Sequence, residues 1–165
     1  MYKVGIIGLG VGEKHIDGFE AGLAKVTHLC DFNIDKIAYL KKKYPDKIIT
    51  GLADDILKNK DIDIVSIASF DNFHYQQILE AIKNKKHIFV EKPMCFTIDE
   101  LNDIKRKIPK EIIISSNLIL RQTNRFKELK KNIQRNKLGK IYYIEASYDY
   151  GRIHKLLKGW RGEIK

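Results

Sequence analysis

The sequence predicts an α/β protein built on a doubly wound parallel sheet, and three observations support this fold class. Short apolar segments alternate with segments of helical periodicity along residues 1–116. The first apolar segment runs directly into a glycine-rich turn. The apolar runs are typical of strands that are buried on both faces, and right-handed crossovers then place helices on either side of the sheet.

The first three elements form one βαβ unit. Residues 3–7 are predicted as a buried strand, residues 13–22 as a helix and residues 24–30 as the next strand. Their combined length matches the ~30 residues expected of two parallel strands joined by one crossover helix.

The alternation then continues to residue 116. Pro45 closes the helix before it and Pro109 stops a later one, because proline cannot continue a helix. The remaining predicted strands are residues 47–49, 62–68, 87–91 and 112–116, and the remaining predicted helices are residues 34–43, 52–58, 73–84 and 98–107.

The pattern changes after Asn117. A predicted helix over residues 124–134 leads into residues 140–150, where aromatic and β-branched residues predict one long strand. A strand of different character with no partner after it indicates the start of a second sheet. We therefore expect a first domain over residues 1–118 and the incomplete beginning of a second α/β domain over residues 119–165, whose open strand edge favours self-association.

Composition excludes several classes of protein. The chain has 165 residues, of which 44% are hydrophobic, enough for one well-buried domain and part of another. No segment approaches the ~20 apolar residues of a membrane span, and the N-terminus has no signal-peptide pattern, so we expect a cytoplasmic protein. Cys30 and Cys95 lie far apart, without the spacing of a zinc site or a disulfide framework, and we expect no metal.

The formal net charge of +10 raises the question of nucleic acid. The lysines are spread over every predicted helix, as at residues 41–43 and 127–131, and do not form one stripe. The sequence shows neither a known nucleic-acid module nor aromatic residues interleaved on a basic face. We therefore expect no nucleic-acid partner, while a positive field assists capture of an anionic cofactor.

The turn after the first strand contains Gly8, Gly10 and Gly12, with Leu9 and Val11 between them. Glycines there let the backbone approach a pyrophosphate, and the next helix presents unpaired N–H groups to it. Asp31 ends the second strand, where a carboxylate accepts hydrogen bonds from a ribose diol. The third glycine comes one residue earlier than in GxGxxG, with Glu13 in the usual slot, so a tight turn without a ligand is the alternative to a dinucleotide site.

Asp31 also bears on which dinucleotide is bound. A carboxylate repels the 2′-phosphate of NADP, and the following residues, Phe32 and Asn33, supply no arginine to neutralise one. We therefore expect NAD(H) to bind more tightly than NADP(H).

Two further polar segments, residues 68–74 and 90–94, follow the fourth and fifth strands, where ligands bind in open α/β sheets. Together with the glycine turn, Asp31, Arg125 and Trp160, they resemble the Gfo/Idh/MocA family of NAD(P)-dependent oxidoreductases along the whole chain. Glu91-Lys92-Pro93 is the most specific part of the resemblance, whereas the glycine turn is not specific.

The resemblance implies a Rossmann domain followed by an α/β domain on a large open sheet. The implied reaction is hydride transfer between a nicotinamide cofactor and a hydroxyl of a sugar, polyol or sugar nucleotide, and we expect a homo-oligomer. The resemblance places Lys92 beside the nicotinamide and the substrate hydroxyl, where its ammonium can hydrogen-bond the reacting oxygen and share in proton transfer. The alternative for Lys92 is an exposed loop lysine.

The resemblance also implies contacts with the cofactor. Glu91 is expected near the nicotinamide ribose, and Pro93 is expected to follow a cis peptide bond. Phe70 and Asp71 replace the family's usual Pro-Asn pair, so this loop departs from the family pattern. The expected cofactor contacts are Gly8, Leu9, Gly10, Val11, Gly12, Asp31, Phe32, Ser69, Phe70, Asn72, His74, Glu91, Lys92 and Arg121.

Asp149 and His154 superficially resemble the family's DxGxH segment, which carries its other two reacting groups. Their spacing is wrong and they precede Trp160, so we interpret them as ordinary residues. We therefore expect a chain cut short before its substrate domain is complete and inactive by itself. The alternative function is a naturally short Rossmann protein that binds or senses a nucleotide without chemistry.

Overall fold

The computed structural model of the protein describes residues 1–149 and residue 151. The chain divides into two compact units, Met1–Leu120 and a second unit that begins at Arg121. The first unit contains a six-stranded sheet and the helices that cover it.

The strands are β1 Tyr2–Ile7, β2 Ala24–Cys30, β3 Ile48–Thr50, β4 Ile64–Ile67, β5 His87–Val90 and β6 Ile114–Ser116. The helices are α1 His15–Glu20, α2 Ile34–Lys43, α3 Asp54–Leu57, α4 His74–Lys83, α5 Ile98–Lys107 and α6 Asn124–Gln134. Short 3₁₀ turns cover Gly12–Lys14, Asp71–Phe73 and Ile119–Gln122. These bounds lie within about two residues of the predicted ones, which is the usual uncertainty of element ends.

The strand order is β3-β2-β1-β4-β5-β6, and every strand pair is parallel. This confirms the predicted doubly wound sheet. The chain crosses from β3 at one edge back to β4, which pairs with the other side of β1. The connections after β1 and β4 therefore leave in opposite directions and open a crevice between them at the carboxyl ends of the strands.

Apolar side chains on the two faces of the sheet form two separate core clusters. On one face Ile6 and Leu29 pack with Ile16 of α1 and Leu40 of α2. On the other face the cluster contains buried side chains from β4, β5 and the helices α3 to α5: Ile56, Leu57, Val65, Ile67, Ile78, Ala81, Val90 and Ile104. Each fully buried aliphatic side chain contributes ~1.5 to 3 kcal/mol, so these clusters fix the helices that carry the loops of the site.

Helix starts near the site are capped by local side chains. The Asn33 side chain accepts a hydrogen bond from the backbone N–H of Lys36 at 2.9 Å and begins α2. Thr97 and Glu100 form a capping box that begins α5 directly after the loop of β5. Such caps are each worth about 1 kcal/mol and define where each loop ends.

The predicted strand over residues 140–150 is wrong for the residues that the structure describes. α6 ends at Gln134, a turn with Gly139 at a φ of +62° follows, and residues 141–149 pair with no described strand. A strand needs ladder hydrogen bonds to a partner, whereas aromatic and β-branched composition shows only that a segment suits such a position. Residue 150, His154 and Trp160 lie outside the described residues.

Two searches of the described residues give negative results. No helix there is long and apolar enough to cross a membrane. No group of three or more His, Cys, Asp or Glu side chains in that part of the chain could hold a metal ion. Both cysteines are free thiols, and burial raises the pKa of Cys30 to about 12, which makes it a poor nucleophile.

Candidate dinucleotide-binding site

Backbone hydrogen bonds continue one residue past the strands and align their carboxyl ends. In each case the first residue after a strand donates its N–H to the carbonyl oxygen of the last residue of a neighbouring strand. These bonds are Asp31 N to Thr50 O (3.2 Å), Gly8 N to Cys30 O (2.8 Å), Ala68 N to Ile7 O (2.7 Å), Glu91 N to Ile67 O (2.8 Å) and Asn117 N to Val90 O (2.8 Å). The residues that follow β2, β1, β4, β5 and β6 therefore lie side by side along one edge of the sheet. This edge brings together the predicted glycine turn, Asp31, Ser69 and Lys92.

The three glycines of the turn have different physical roles. Gly8 has a φ of +86°, and a Cβ built there would lie 2.3 Å from the carbonyl oxygen of Ala68. A Cβ on Gly12 would lie 3.0 Å from the side chains of Ile6 and Ala68. Gly10 is exposed, and a Cβ there would meet no atom within 4 Å. Contacts within the protein thus account for Gly8 and Gly12, whereas Gly10 leaves its backbone open to a ligand.

Leu9 and Val11 differ in what they present to that ligand. The Leu9 side chain is completely buried, and its N–H donates to Asp31. Val11 is more than half exposed, next to the start of the 3₁₀ turn. Leu9 therefore anchors the turn, and Val11 lies on its outer surface.

The carboxylate of Asp31 is held by two backbone donors. Its Oδ2 accepts from Leu9 N at 2.9 Å, and its Oδ1 accepts from Asn33 N at 3.0 Å. A carboxylate oxygen has two lone pairs, so each oxygen keeps acceptor capacity for a diol. A shallow cleft of about 600 Å³ lies beside it, lined by Gly10, Asp31, Asn33, Asp35, Lys36 and Tyr39.

Phe32 and Phe70 form an aromatic pair near this edge of the sheet. They belong to the loops after β2 and β4, and their ring centroids are 5.5 Å apart with a tilt of 60°. Phe32 is 70% exposed and Phe70 is 38% exposed. Two partly exposed aromatic rings offer apolar faces on which a flat heterocycle can pack.

The carboxylate of Glu91 lies at the centre of a buried hydrogen-bond network, and Glu91 is only 8% exposed. Its Oε1 accepts from Asn117 Nδ2 at 2.7 Å and from His15 Nε2 at 3.1 Å, and its Oε2 accepts from Lys92 N at 3.3 Å. His15 Nδ1 lies 2.9 Å from Ser66 Oγ. Burial raises the pKa of Glu91, but these hydrogen bonds outweigh it and lower the pKa below its ordinary value. Glu91 is therefore an ionised anchor beneath the loop that carries Lys92.

Lys92 is exposed directly after that anchor, and the Lys92–Pro93 peptide bond is cis, as the resemblance implied. His74 is completely buried at the start of α4. Its Nδ1 lies 2.7 Å from the carbonyl oxygen of Pro93, and its Nε2 lies 3.1 Å from the carbonyl oxygen of Ser69. His74 therefore joins the loop after β4 to the loop after β5, which fixes the backbone directly after Lys92.

The other predicted residues lie in different surroundings. Ser69 Oγ donates to Gln77 Oε1 at 2.7 Å, which turns this hydroxyl toward α4. Asn72 is exposed in the turn Asp71–Phe73. Arg121 is exposed and belongs to the second unit, so its predicted contact with the cofactor stays a prediction.

The sequence reasoning missed several residues of the site. Asn117 could have been found, because it follows β6 at the same carboxyl edge as Glu91. Ser66 and Gln77 gave no signal, because an inward-facing serine in a strand and a glutamine in a helix look like ordinary residues. Glu13 was noticed only because it occupies the slot of the third glycine, and nothing in the sequence indicated that it binds lysines of α2.

The geometry and the comparisons with known proteins agree. The Gfo/Idh/MocA family, described as an oxidoreductase family with an NAD-binding Rossmann fold, matches residues 2–114. The chain belongs to this family. The resemblance and the NAD cofactor expected from the sequence are thereby confirmed for the cofactor-binding domain.

The relatives and solved structures to which the chain is similar are also oxidoreductases. The uncharacterized oxidoreductase YrbE of Bacillus subtilis is 30% identical over 146 residues, covering 87% of this chain and 43% of YrbE. The scyllo-inositol 2-dehydrogenase (NADP(+)) IolW of the same organism is 26% identical over 148 residues, covering 89% of this chain and 41% of IolW. The crystal structure of scyllo-inositol dehydrogenase from Lactobacillus casei, with bound NAD(H) and scyllo-inositol, superposes with a TM-score of 0.76 at 26% identity, covering 84% of this chain and 42% of that one. The chain thus spans less than half the length of these relatives.

Proposed function

We propose that the chain is the cofactor-binding part of an NAD-dependent dehydrogenase that transfers a hydride between the nicotinamide and a hydroxyl of a cyclic polyol or sugar. One observation carries the proposal. The open backbone at Gly10 follows β1 and the exposed Lys92 follows β5, so both lie at the same edge of the sheet, on either side of β4. Residues 1–118 form the cofactor domain in this proposal, and residues 119–165 begin the domain that holds the substrate. The inositol dehydrogenases among the relatives support the substrate class.

The residues at this edge suit each part of NAD. The open backbone at Gly10 and the N–H groups of the following turn accommodate the pyrophosphate. Asp31 accepts hydrogen bonds from the hydroxyls of the adenosine ribose, and Phe32 and Phe70 supply apolar faces for the adenine. The carboxylate at Asp31 favours NAD(H) over NADP(H), because a 2′-phosphate beside it meets like charge.

Lys92 is the catalytic residue in this proposal. Bound NAD would supply the hydride acceptor. Lys92 Nζ hydrogen-bonds the substrate oxygen: in its amine form it accepts the hydroxyl proton during oxidation, and in its ammonium form it returns that proton during reduction. Glu91 and His74 are positioning residues, since one binds the Lys92 N–H and the other binds the Pro93 carbonyl. The position of Lys92 matters because correct orientation of the reacting groups lowers an activation barrier by ~7 to 11 kcal/mol.

The test is turnover of inositols and sugars with NAD⁺ by the enzyme as its gene encodes it. We expect one of these polyols to support NAD⁺ reduction, and Lys92→Met to lower kcat about 100-fold or more with NADH affinity nearly unchanged. Lys110→Met, a change of an exposed lysine in a turn away from the edge, is the matched control. Near-normal turnover by Lys92→Met would contradict the catalytic role, and no NADH binding at millimolar concentration would contradict the function itself.

A further inference from the structure

The Glu13 carboxylate contacts lysine and tyrosine side chains of α2 and of Tyr44, the residue directly after α2. Its carboxylate accepts from Lys36 Nζ at 2.5 Å and from Lys43 Nζ at 2.8 Å. The hydroxyls of Tyr44 and Tyr39 lie 3.3 Å and 3.5 Å away. One carboxylate, placed where the usual glycine motif has its third glycine, thus holds two lysines.

The lysines are fixed as well as paired. Lys36 Nζ lies 4.9 Å from the ring centroid of Tyr39, and Lys43 Nζ lies 5.4 Å from the same centroid. Burial raises the pKa of Glu13, but the hydrogen bonds from Lys36 and Lys43 outweigh it and lower the pKa to about 2. Glu13 is therefore ionised at neutral pH, and its single negative charge is shared between the two ammonium groups, whose motion these contacts restrict.

This cluster adjoins the cleft beside Asp31. Lys36 and Tyr39 line that cleft together with Gly10 and Asp31. Among the described residues, the charged groups that line it or contact its Lys36 and Tyr39 are the carboxylates of Asp31, Asp35 and Glu13 and the ammonium groups of Lys36 and Lys43. Carboxylates are therefore in excess at the place where the 2′ position of a bound adenosine ribose would lie.

We propose that Glu13 is a specificity-determining residue that disfavours NADP(H) by occupying Lys36 and Lys43, which would otherwise bind a 2′-phosphate. The proposal rests on the proposed function, in which the adenosine ribose lies at Asp31. The two carboxylates act differently. Asp31 repels the 2′-phosphate directly, whereas Glu13 keeps Lys36 and Lys43 paired with itself and so prevents them from binding the phosphate. The sequence reasoning considered only arginines next to Asp31 and so could not detect this contribution.

The experiment measures the Kd of NADH and of NADPH by fluorescence titration of the 165-residue chain and its variants. In Glu13→Gln, which keeps the shape and removes the charge, we expect NADPH to bind at least about tenfold more tightly and NADH to change by less than about threefold. In the double variant Glu13→Gln/Lys36→Met we expect most of that gain to be lost. The control is Glu20→Gln, which removes a carboxylate paired with Lys47 at 2.7 Å and lying outside the residues that line the cleft. We expect the control to match the wild type for both cofactors.

The outcomes separate this inference from the proposed function. Normal NADH binding with unchanged NADPH affinity in Glu13→Gln overturns the inference alone. A gain that survives replacement of Lys36 and of Lys43 also overturns it, because Glu13 would then act by repulsion only. Failure of the wild type to bind NADH contradicts the proposed function, on which the inference depends. Glu13→Ser serves as a second variant, and loss of the fold in both would make Glu13 a purely structural residue and overturn the proposal.

Discussion

The carboxylate of Asp31 accepts a hydrogen bond from the backbone N–H of Leu9 at 2.9 Å, which ties the end of β2 to the turn after β1. The residue that selects the cofactor in our proposal is therefore also a support of the glycine turn. Its other oxygen accepts from Asn33 N at 3.0 Å, so the carboxylate joins the turn to the start of α2 as well. Recognition of the ribose and the shape of the pyrophosphate loop thus depend on the same side chain.

Asp31→Asn should impair both roles. An amide has one acceptor oxygen, so either Leu9 N or Asn33 N faces the new NH₂ group and loses its partner. We expect a loss of about 1 to 3 kcal/mol in the free energy of unfolding and about tenfold weaker NADH binding. Urea denaturation and NADH titration check this, with the exposed Asp61→Asn as control. Wild-type values for both quantities in Asp31→Asn would show that neither role exists.

Replacement by alanine should affect stability at Gly8 and cofactor binding at Gly10. At Gly8 the added Cβ meets the Ala68 backbone at 2.3 Å and a φ of +86° is required, so we expect a loss of about 2 kcal/mol or more in stability. At Gly10 the Cβ meets no protein atom within 4 Å, so stability should change by less than about 0.5 kcal/mol while NADH binding weakens. Thermal denaturation and NADH titration of both variants distinguish these results. Unimpaired NADH binding in Gly10→Ala would place the pyrophosphate elsewhere.

The ion pairs of Glu13 should contribute stability that depends on pH. The pKa of Glu13 falls from an ordinary 4.5 to about 2 in the folded protein, so its contribution is full above pH 4.5 and is lost as the pH falls toward 2. We expect the wild type to exceed Glu13→Gln by about 1 kcal/mol at pH 6 and the difference to shrink below pH 4.5. Denaturant titrations at a series of pH values measure this difference. A difference that stays constant from pH 6 to pH 3 would rule out the proposed cause of the pKa shift.

His74 should hold the loop after β5, which carries Lys92, against the loop after β4. Both of its ring nitrogens face carbonyl oxygens, those of Pro93 and Ser69, so His74→Phe removes the link between the loops. We expect faster hydrogen exchange at residues 69–73 and 91–95 and weaker NADH binding, together with a loss of about 1 to 3 kcal/mol in stability. The control is Tyr75→Phe, which changes the residue next to His74 on α4 and loses a 2.9 Å hydrogen bond to Asp103 of α5. Equal exchange rates at these loops in both variants would contradict the positioning role.

The fold followed from the sequence because its signals are local. Apolar runs, Pro45, Pro109 and the glycine turn locate strands and helix ends, and the crossover rule then leaves few arrangements of the sheet. The strand predicted over residues 140–150 was wrong because pairing is not local, and no partner for 141–149 lies among the described residues.

The site was predictable only in outline. Residues that follow strands at the carboxyl edge, such as Asp31 and Lys92, could be located from topology alone. The hydrogen bonds of Glu91 with His15 and Asn117, and those of Glu13 with Lys36, join residues far apart in sequence. Such partners depend on side-chain packing between elements, which periodicity does not encode. The network beneath Lys92 and the lysine cluster at the cleft therefore emerged only from the structure.

A crystal structure of the chain soaked with NADH tests the central claim most directly. We expect the pyrophosphate to lie against the backbone at Gly10, the adenosine ribose hydroxyls to bind Asp31, and the nicotinamide ring to lie beside Lys92. Electron density for NADH at another surface, or none at this edge with millimolar NADH present, would contradict the account.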